Sequence, residues 1–525
     1  MRALVVSQTS RRAFRNLVDA LNAATGPLRI VVEPGHYRMP ACRVWGQVRI
    51  EARDALGSVT IDCGGEPNVR VENGGSVVLH RLTLRNFHEQ APTVEVVGGE
   101  LTVEECVLSS ISGTAVSAGG AQLFLRRSHV TGGGVACSDA VGVIESCTVA
   151  DTTANAMDFY RGSRFTLADV TVRQAGAFGV WVTSGSDARI ERCRVEEAAT
   201  AGVVIDGRAT AALLGTQVRA PGEAGVIVRN RAVVVMEDTT VSDAGNVGVW
   251  TTGGGQLTAR RVLVERAQGP SGFHVTEKGT ATLENGCVAA SKECGIVAED
   301  GATVAVAHTD VLQPGGDAIA LHRSEATLRD TRVRGGAYGV LLEAESALTA
   351  TRLSVAEPRV MGVSVAGSSS ARLAECALSG ATEGPGLATL QASTCSFTGG
   401  SIGGSGLQGA LTANAGSSLT LADARLTGNG ASGAACADGA ELTLLDCVIT
   451  ENGGPGVGGT VDSTVTVERT TSRDNAAEDA LHLPKLNLDE SPEPDGAPAR
   501  ATAPARATAP AADAADAAPP SHAGS

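Results

Sequence analysis

The sequence predicts an all-β chain, a single-stranded right-handed parallel β-helix of about eighteen coils closed by an N-terminal capping helix. Three observations lead there. First, one phrase recurs between Phe178 and Gly367, as FGVWVTSG, TAGVVIDG, EAGVIVRN, NVGVWTTG, SGFHVTE, ECGIVAED, DAIALHR, AYGVLLEA and MGVSVAG. Its anchors are Gly179, Gly202, Gly225, Gly248, Gly272, Gly295, Ala318, Gly339 and Gly362, spaced 23, 23, 23, 24, 23, 23, 21 and 23 residues apart. Second, each phrase alternates apolar and variable positions, the period of a strand buried on one side. The Gly-rich joints leave no room for ten residues at helical spacing. Third, equivalent positions hold equivalent side chains. The position after the anchor reads Val180, Val203, Val226, Val249, Phe273, Ile296, Ile319, Val340 and Val363. A later alternation ends on Val195, Val218, Val241, Val264, Val288 and Val311. A slot two residues before such positions holds Cys106, Cys147, Cys193, Cys376, Cys395 and Cys447, with Val or Thr elsewhere. Compact residues stacked coil on coil suit a slim solenoid core.

In chain order, residues 1–49 form a capping unit. Phe14, Leu17, Val18 and Leu21 lie at helical spacing within residues 9–24, with Thr9 or Ser10 as N-cap, and a strand follows over Leu28–Glu33. Together they cover the first coil, whose backbone is otherwise unpaired. The β-helix occupies residues 50–486 and, at the strand spacing of about 4.8 Å, extends on the order of 85 Å. Spacing is uneven over 74–160, loosens over 391–432, and the last coil-like phrase is DALHL near Leu481. Residues 487–525 are rich in Pro, Ala, Asp and Thr and lack a core, so they read as a disordered tail.

The net charge of −15 disfavours nucleic acid and anionic membrane surfaces. No run of about 18 apolar residues occurs, so no membrane span is expected. The opening Met1 to Ser7 is too short an apolar run for a secretory signal, and Arg11, Arg12 and Arg15 follow at once, so the expected location is cytoplasmic. Twelve cysteines there read as reduced packing residues. No tripled acidic cluster suggests Ca²⁺ and no Walker motif is present, so neither metal nor cofactor is expected.

The order of helix, LRIVVEPGHYRM and regular coils resembles the start of pectin-lyase-like right-handed β-helix proteins, a superfamily of polysaccharide lyases, hydrolases, esterases and C5-epimerases. It is similar also to actinobacterial β-helix proteins of undefined role, some fused to an ATPase module, which implies a separately encoded ATPase as one partner. The Asp158-Phe159-Tyr160-Arg161-Gly162 stretch resembles the D-F-I-F-G of pectin methylesterases, implying Asp158 as nucleophile, while their other motifs and the D-P-H-D of alginate epimerases are missing.

The alternate positions of the 178–367 strands face outward. One column reads Asp158, Trp181, Val204, Ile227, Trp250, His274 and Val297. Its neighbour reads Tyr160, Thr183, Asp206, Arg229, Thr252, Thr276, Glu299, His322 and Glu343. Trp181 and Trp250 stand three coils apart, about 14 Å, as stacking platforms for sugar rings, a peptide or a protein. The same pattern suits a patch covered by loops or a homodimer interface through the exposed sheet. Asp206 with Arg229, and Glu299 with His322, read as cross-strand ion pairs. His274 on an apolar shelf beside Trp250 is the candidate general base. The binding set is therefore Trp181, Trp250, Tyr160, Arg161, Asp206, Glu299 and His322, and the catalytic set His274, Asp158 and Arg229. These features favour a cytosolic binding or scaffold protein that presents this face to a protein, peptide or glycan and uses its tail as a tether. The alternative is a carbohydrate-active enzyme, an epimerase or lyase on uronic-acid polymers with Arg229 clamping the carboxylate, or a peptide-tailoring enzyme on the same face.

Overall fold

The computed structural model describes residues 2–23, 26–111 and 113–479. A regular coil contributes three short strands. Asp187–Glu191, Arg194–Glu196 and Ala201–Ile205 form one such coil, and each pairs in parallel with its counterpart in the next, Thr210–Leu214, Gln217–Arg219 and Ala224–Val228. Among the described residues the third kind of strand builds a ladder of nineteen, from Cys42–Val44 to Val457–Gly459. The first two kinds build a continuous sheet of 39 strands, joined where Ser370–Ser379 and Thr394–Gly403 each run through both. The chain is thus a parallel β-solenoid.

The interior is lined as the columns predict. Val180, Val203, Val226, Val249, Phe273, Ile296, Ile319, Val340 and Val363 are buried, as are Val195, Val218, Val241, Val264, Val288 and Val311. The glycine anchors also face inward, which strict alternation does not predict. A Cβ on Gly225 would sit 2.2 Å from Val241 Cγ1 and 2.4 Å from the carbonyl oxygen of Gly248, and Gly179, Gly202, Gly248 and Gly295 meet the same pair of obstacles. At these glycine anchors the strand of the third ladder therefore enters with two successive inward residues, the first with no room for a side chain.

The Cys/Thr slot has a polar reason as well as a size. The Thr216 hydroxyl donates to the Ile190 carbonyl at 3.1 Å and that of Thr239 to Leu213 at 3.2 Å. The thiols of Cys193 and Cys447 donate to Glu191 and Leu421 at 3.3 and 3.4 Å. A small side chain carrying one donor satisfies carbonyls at the bend between the first and second strands. Cys395 does not belong to this slot. It stacks between Ala371 and Leu419 in the first-strand column, and Gly400 lies opposite Cys376, because Gly399 and Gly400 carry the chain through the bend. All twelve cysteines are free, and burial pushes the thiols of Cys106 and Cys395 up to about 12.

The N-terminal unit differs from expectation in detail. The helix spans only Leu17–Asn22, capped by Asn16, whose side chain accepts the Asp19 N–H at 2.8 Å. Thr9 and Ser10 cap nothing: their N–H groups donate to the Ser7 hydroxyl, at 3.2 and 3.1 Å, and fold residues 7–10 into a turn. Phe14 instead bridges Val6. Arg2–Val6 is itself a strand paired with Leu28–Val32, which pairs with Gln47–Ala52, so the ladder begins well before residue 50. Leu17 and Ala20 still bury the inner side of the helix, and Val18 and Leu21 pack on the core. The DALHL phrase beyond Asp479 and the 487–525 tail lie outside the described residues.

The corner after the first strand of each coil turns through a left-handed residue, and several of these are charged. Asp169 and Arg192, Asp238 and Arg261, Asp330 and Arg352, and Asp446 and Arg469 all have φ between 47° and 53° and occupy adjacent coils. Each arginine grips its aspartate with two hydrogen bonds, at 2.9 and 2.8 Å for Arg192 and 2.7 and 2.8 Å for Arg261. Arg352 and Arg469 repeat the fork.

The inward glycine predicts an outcome. Gly225→Ala should lower stability by about 1–3 kcal/mol through overpacking, read as a fall in the denaturant midpoint. Gly64→Ala, where an added Cβ meets nothing within 4 Å, should leave the midpoint unchanged.

Candidate functional site

The outer face of the third ladder places side chains in registered columns. Asp158, Trp181, Val204, Ile227, Trp250, His274 and Val297 are successive partners across seven coils. The column beside it pairs Glu299 with His322 and His322 with Glu343.

The centre of the face is not an open strip of Val and Ile. Val204 is 0% exposed and Ile227 7%, although both point away from the core. With Ala201 and Ala224 they form a second, external apolar cluster against which Phe178, Trp181 and Trp250 pack. Phe178 meets Trp181 edge to face at 5.9 Å, and the Trp250 ring lies 6.3 Å from that of His274. The two tryptophans, only partly buried, are therefore the accessible part of the shelf. Both indole nitrogens are buried and find no hydrogen-bond partner among the described residues. Such an orphaned donor costs about 1–3 kcal/mol and usually marks a position under some other demand.

At one end of the shelf stands Asp158. Its Oδ1 accepts a hydrogen bond from Asn155 Nδ2 at 2.8 Å, while Asn155 Oδ1 accepts the Phe178 N–H at 3.0 Å. Burial pushes the Asp158 carboxyl up to about 6, against the opposing effect of the Asn155 hydrogen bond. Burial, with the nearby Asp158 charge, also raises the Tyr160 phenol. Arg161 follows in a left-handed turn at φ 56° and is exposed.

In the middle, Asp206 and Arg229 form the expected ion pair at 2.8 Å, and Asn230 Nδ2 donates to the other Asp206 oxygen at 2.7 Å. Arg229 is therefore already engaged and does not stand free as a carboxylate clamp. At the far end, His274 Nε2 meets Glu299 Oε1 at 2.9 Å. This diagonal bond replaces the expected Glu299–His322 contact, and with it His274 holds the Glu299 carboxyl below the usual range despite burial. His322 adds only a weaker charge effect.

His274, Asp158 and Arg229 do not form one centre. Five coils separate Asp158 from His274, about 24 Å, and three separate Asp158 from Arg229, about 14 Å. A straight parallel stack holds such intervals rigidly.

Two residues that sequence reading passed over shape this face. Asn155 and Asp317 both precede an anchor, in the column that continues through Phe178, Ala201, Ala224, Val247, Ser271 and Cys294. Asp317 Oδ1 accepts the Tyr338 N–H at 3.3 Å, as Asn155 does for Phe178, and burial raises the Asp317 carboxyl. A polar residue in an otherwise apolar or small column was the available signal. Among the described residues no group of three His, Cys, Asp or Glu side chains is placed to hold a metal ion.

The repeats match the family described as right handed beta helix region over residues 67–210, 127–264, 224–355 and 338–482. The chain belongs to this right-handed β-helix family. Among solved structures, the β-helix resembles the catalytic domain of a GH87 α-1,3-glucanase, with a TM-score of 0.34 and 10% identity over 68% of this chain and 65% of that one. It resembles the A-module of an Azotobacter vinelandii mannuronan C-5 epimerase, with a TM-score of 0.30 and 13% identity over 63% and 87%. It is similar also to pectate lyase Pel9A, with a TM-score of 0.23 and 12% identity over 62% and 76%. These are likenesses of fold alone, and the β-helix spans 65% of the length of the glucanase domain. No curated protein matches it.

The Asp158 environment fixes the sign of a pH effect. Its folded value of about 6 lies above the ordinary 3.8, so folding favours the protonated acid. The contribution is complete below pH about 4 and fades as pH rises to about 6, a swing of about 2–3 kcal/mol. Asp158→Asn keeps an acceptor for Asn155 and removes the charge. The variant should therefore gain stability relative to the natural chain between pH 4 and 7, measured as the difference in denaturant midpoints across that range.

Proposed function

We propose that the outer face of the third ladder binds an extended neutral glycan laid along the solenoid axis. The observation that carries this reading is the pair Trp181 and Trp250, held in one register column on either side of Val204 and Ile227. Rings packed on an apolar bed are fixed in orientation, and aromatic faces so fixed stack against the apolar faces of sugar rings at little entropic cost. In the neighbouring column the half-buried Thr183 offers a hydroxyl to a sugar hydroxyl. The buried indole N–H groups become further donors on a small rotation of either ring.

Charge favours a neutral over a uronic chain. Arg229 is neutralised by Asp206, and Glu299 is ionised beside the same shelf. A polyuronate laid over the middle of the shelf would meet the ionised Glu299, while the Arg229 guanidinium there is already taken by Asp206.

A second reading, hydrolysis of the bound glycan, is favoured by Asp158. A carboxyl desolvated beside a tryptophan and titrating near 6 has the poise of a general acid for a glycosidic oxygen.

Calorimetric titration with a neutral gluco-oligosaccharide and an oligouronate of equal length tests both readings. The neutral chain should bind more tightly, and Trp181→Ala and Trp250→Ala should each weaken it about tenfold, or 1.4 kcal/mol. Asp158→Asn should leave binding intact and abolish any cleavage. Tryptophan variants that bind like the natural chain would overturn the glycan reading. A face that takes no glycan but pairs two copies, seen by light scattering, would return it to an interface.

A further inference from the structure

The corner at which a strand of the third ladder passes into the next coil is built in two ways. In the regular coils it holds two left-handed residues, as at Gly207 and Arg208 (φ 59° and 61°) or Asn230 and Arg231 (φ 55° and 64°). Over three earlier coils it is one residue shorter, with Gly98, Gly120 and Asp139 turning alone at φ 64°, 55° and 51°. A Cβ added to Gly98 or Gly120 would meet nothing within 4 Å, so neighbouring atoms do not demand glycine there. Nor does the turn, since Arg323 makes an equivalent one at φ 48°. What the two glycines leave is space.

A trough of about 470 Å³ runs along this corner from Gly74 to Val141, within the size range of small-molecule sites. Its lining includes Glu100, Gln122 and Asp139, with the exposed Val141. Neither Glu100 nor Asp139 has an ion-pair partner among the described residues. The outer face of the third ladder is cut back beside it. Ser117 and Ala136 precede Asp158 in its column, and Gly119 and Ser138 precede Tyr160 in the next, so for two coils nothing large stands on that face. At one end of the trough the Asp139 N–H donates to the Tyr160 carbonyl at 3.2 Å, which joins it to the coil of Asp158. At the other stands Trp45, the third tryptophan of the chain, 56% exposed, with its indole N–H on Glu72 at 3.2 Å. Along the ladder Trp45 lies five coils from Asp158 and nine from Trp250, about 24 and 43 Å.

We propose, on the strength of the glycan reading, that the trough and Trp45 hold the part of the same neutral chain that lies beyond Asp158. From Trp181 the chain passes over the small residues beside Asp158 and bends at Tyr160 into the corner. Glu100, Gln122 and Asp139 accept hydrogen bonds from its sugar hydroxyls, and Trp45 stacks on its outermost ring. Two carboxylates without cations suit hydroxyl donors and repel a uronic chain. Asp158 then stands near the middle of the bound chain instead of at its end.

Calorimetric titration with a neutral gluco-decasaccharide, long enough to reach from Trp45 to the shelf, tests this. Trp45→Ala and Gly120→Arg, which fills the trough, should each weaken binding about fivefold. Both variants should keep the circular dichroism of the natural chain, since Trp45 is exposed and Arg323 already turns such a corner. If Trp181→Ala weakens binding while Trp45→Ala and Gly120→Arg do not, the trough proposal falls and the glycan reading stands. If the decasaccharide does not bind at all, both fall. A loss confined to Trp45→Ala and Gly120→Arg, with Trp181→Ala unaffected, would also overturn the proposal, because the trough would then be a site unconnected with the shelf. As a check that leaves the trough intact, Trp181→Phe combined with Trp250→Phe makes Trp45 the sole tryptophan. Its emission should move to shorter wavelength on saturation with the decasaccharide, and unchanged emission would overturn the proposal.

Discussion

The close vertical approach of one coil to the next governs everything else in this molecule. Parallel ladders fix successive coils at strand spacing, and at Gly225 the next coil's carbonyl would lie 2.4 Å from any Cβ. That distance explains why the repeat is announced by glycine. The core is built mainly of Val, Leu, Ile and Ala, with Phe159, Phe273 and Phe397 among its largest buried members. The interior tolerates little, so variation moves outward.

Function then follows from geometry that the backbone supplies without further effort. Side chains in one column stand at constant intervals, so a shelf of Trp181, Val204, Ile227 and Trp250 is as straight as the ladder beneath it. The same rule keeps Asp158 and His274 apart, because no loop brings distant coils together. Asp158 owes its raised value to burial beside Trp181, and Glu299 its lowered one to His274. The two ends of the shelf thus titrate in different pH ranges, although both carboxyls are mostly ionised at neutral pH.

Much of the architecture was legible because period-23 columns are a signal that sums over many coils. The inward lines after the anchor, the outward column from Asp158 to Val297, and the pairing of Asp206 with Arg229 all follow from counting. What escaped counting was local. Residues 9–16 carry helical spacing at Phe14 and Leu17, but the Ser7 hydroxyl collects the N–H groups of Thr9 and Ser10 and holds a turn there. Cys395 slipped into the wrong column because Gly399 and Gly400 let a strand continue where other coils bend. Val204 and Ile227 face outward as counted, yet the burial that Trp181 and Trp250 impose on them depends on ring placement, which no spacing encodes. Asn155 and Asp317 sit one residue before the repeating phrase and act through single hydrogen bonds to the next coil.

Coils this alike carry a hazard during assembly, since a newly made turn finds nearly the same glycine and valine pattern two levels down as it does one level down. The forked arginines at the left-handed corners discriminate between those choices. Skipping the intervening level would set Asp238 beside Asn285, Arg261 beside His308 or Asp330 beside Glu375, and each such slip would forfeit the two-pronged grip at that level. Fully solvated pairs of this kind add little to the strength of the finished rod. Their value lies in proofreading the order of its storeys.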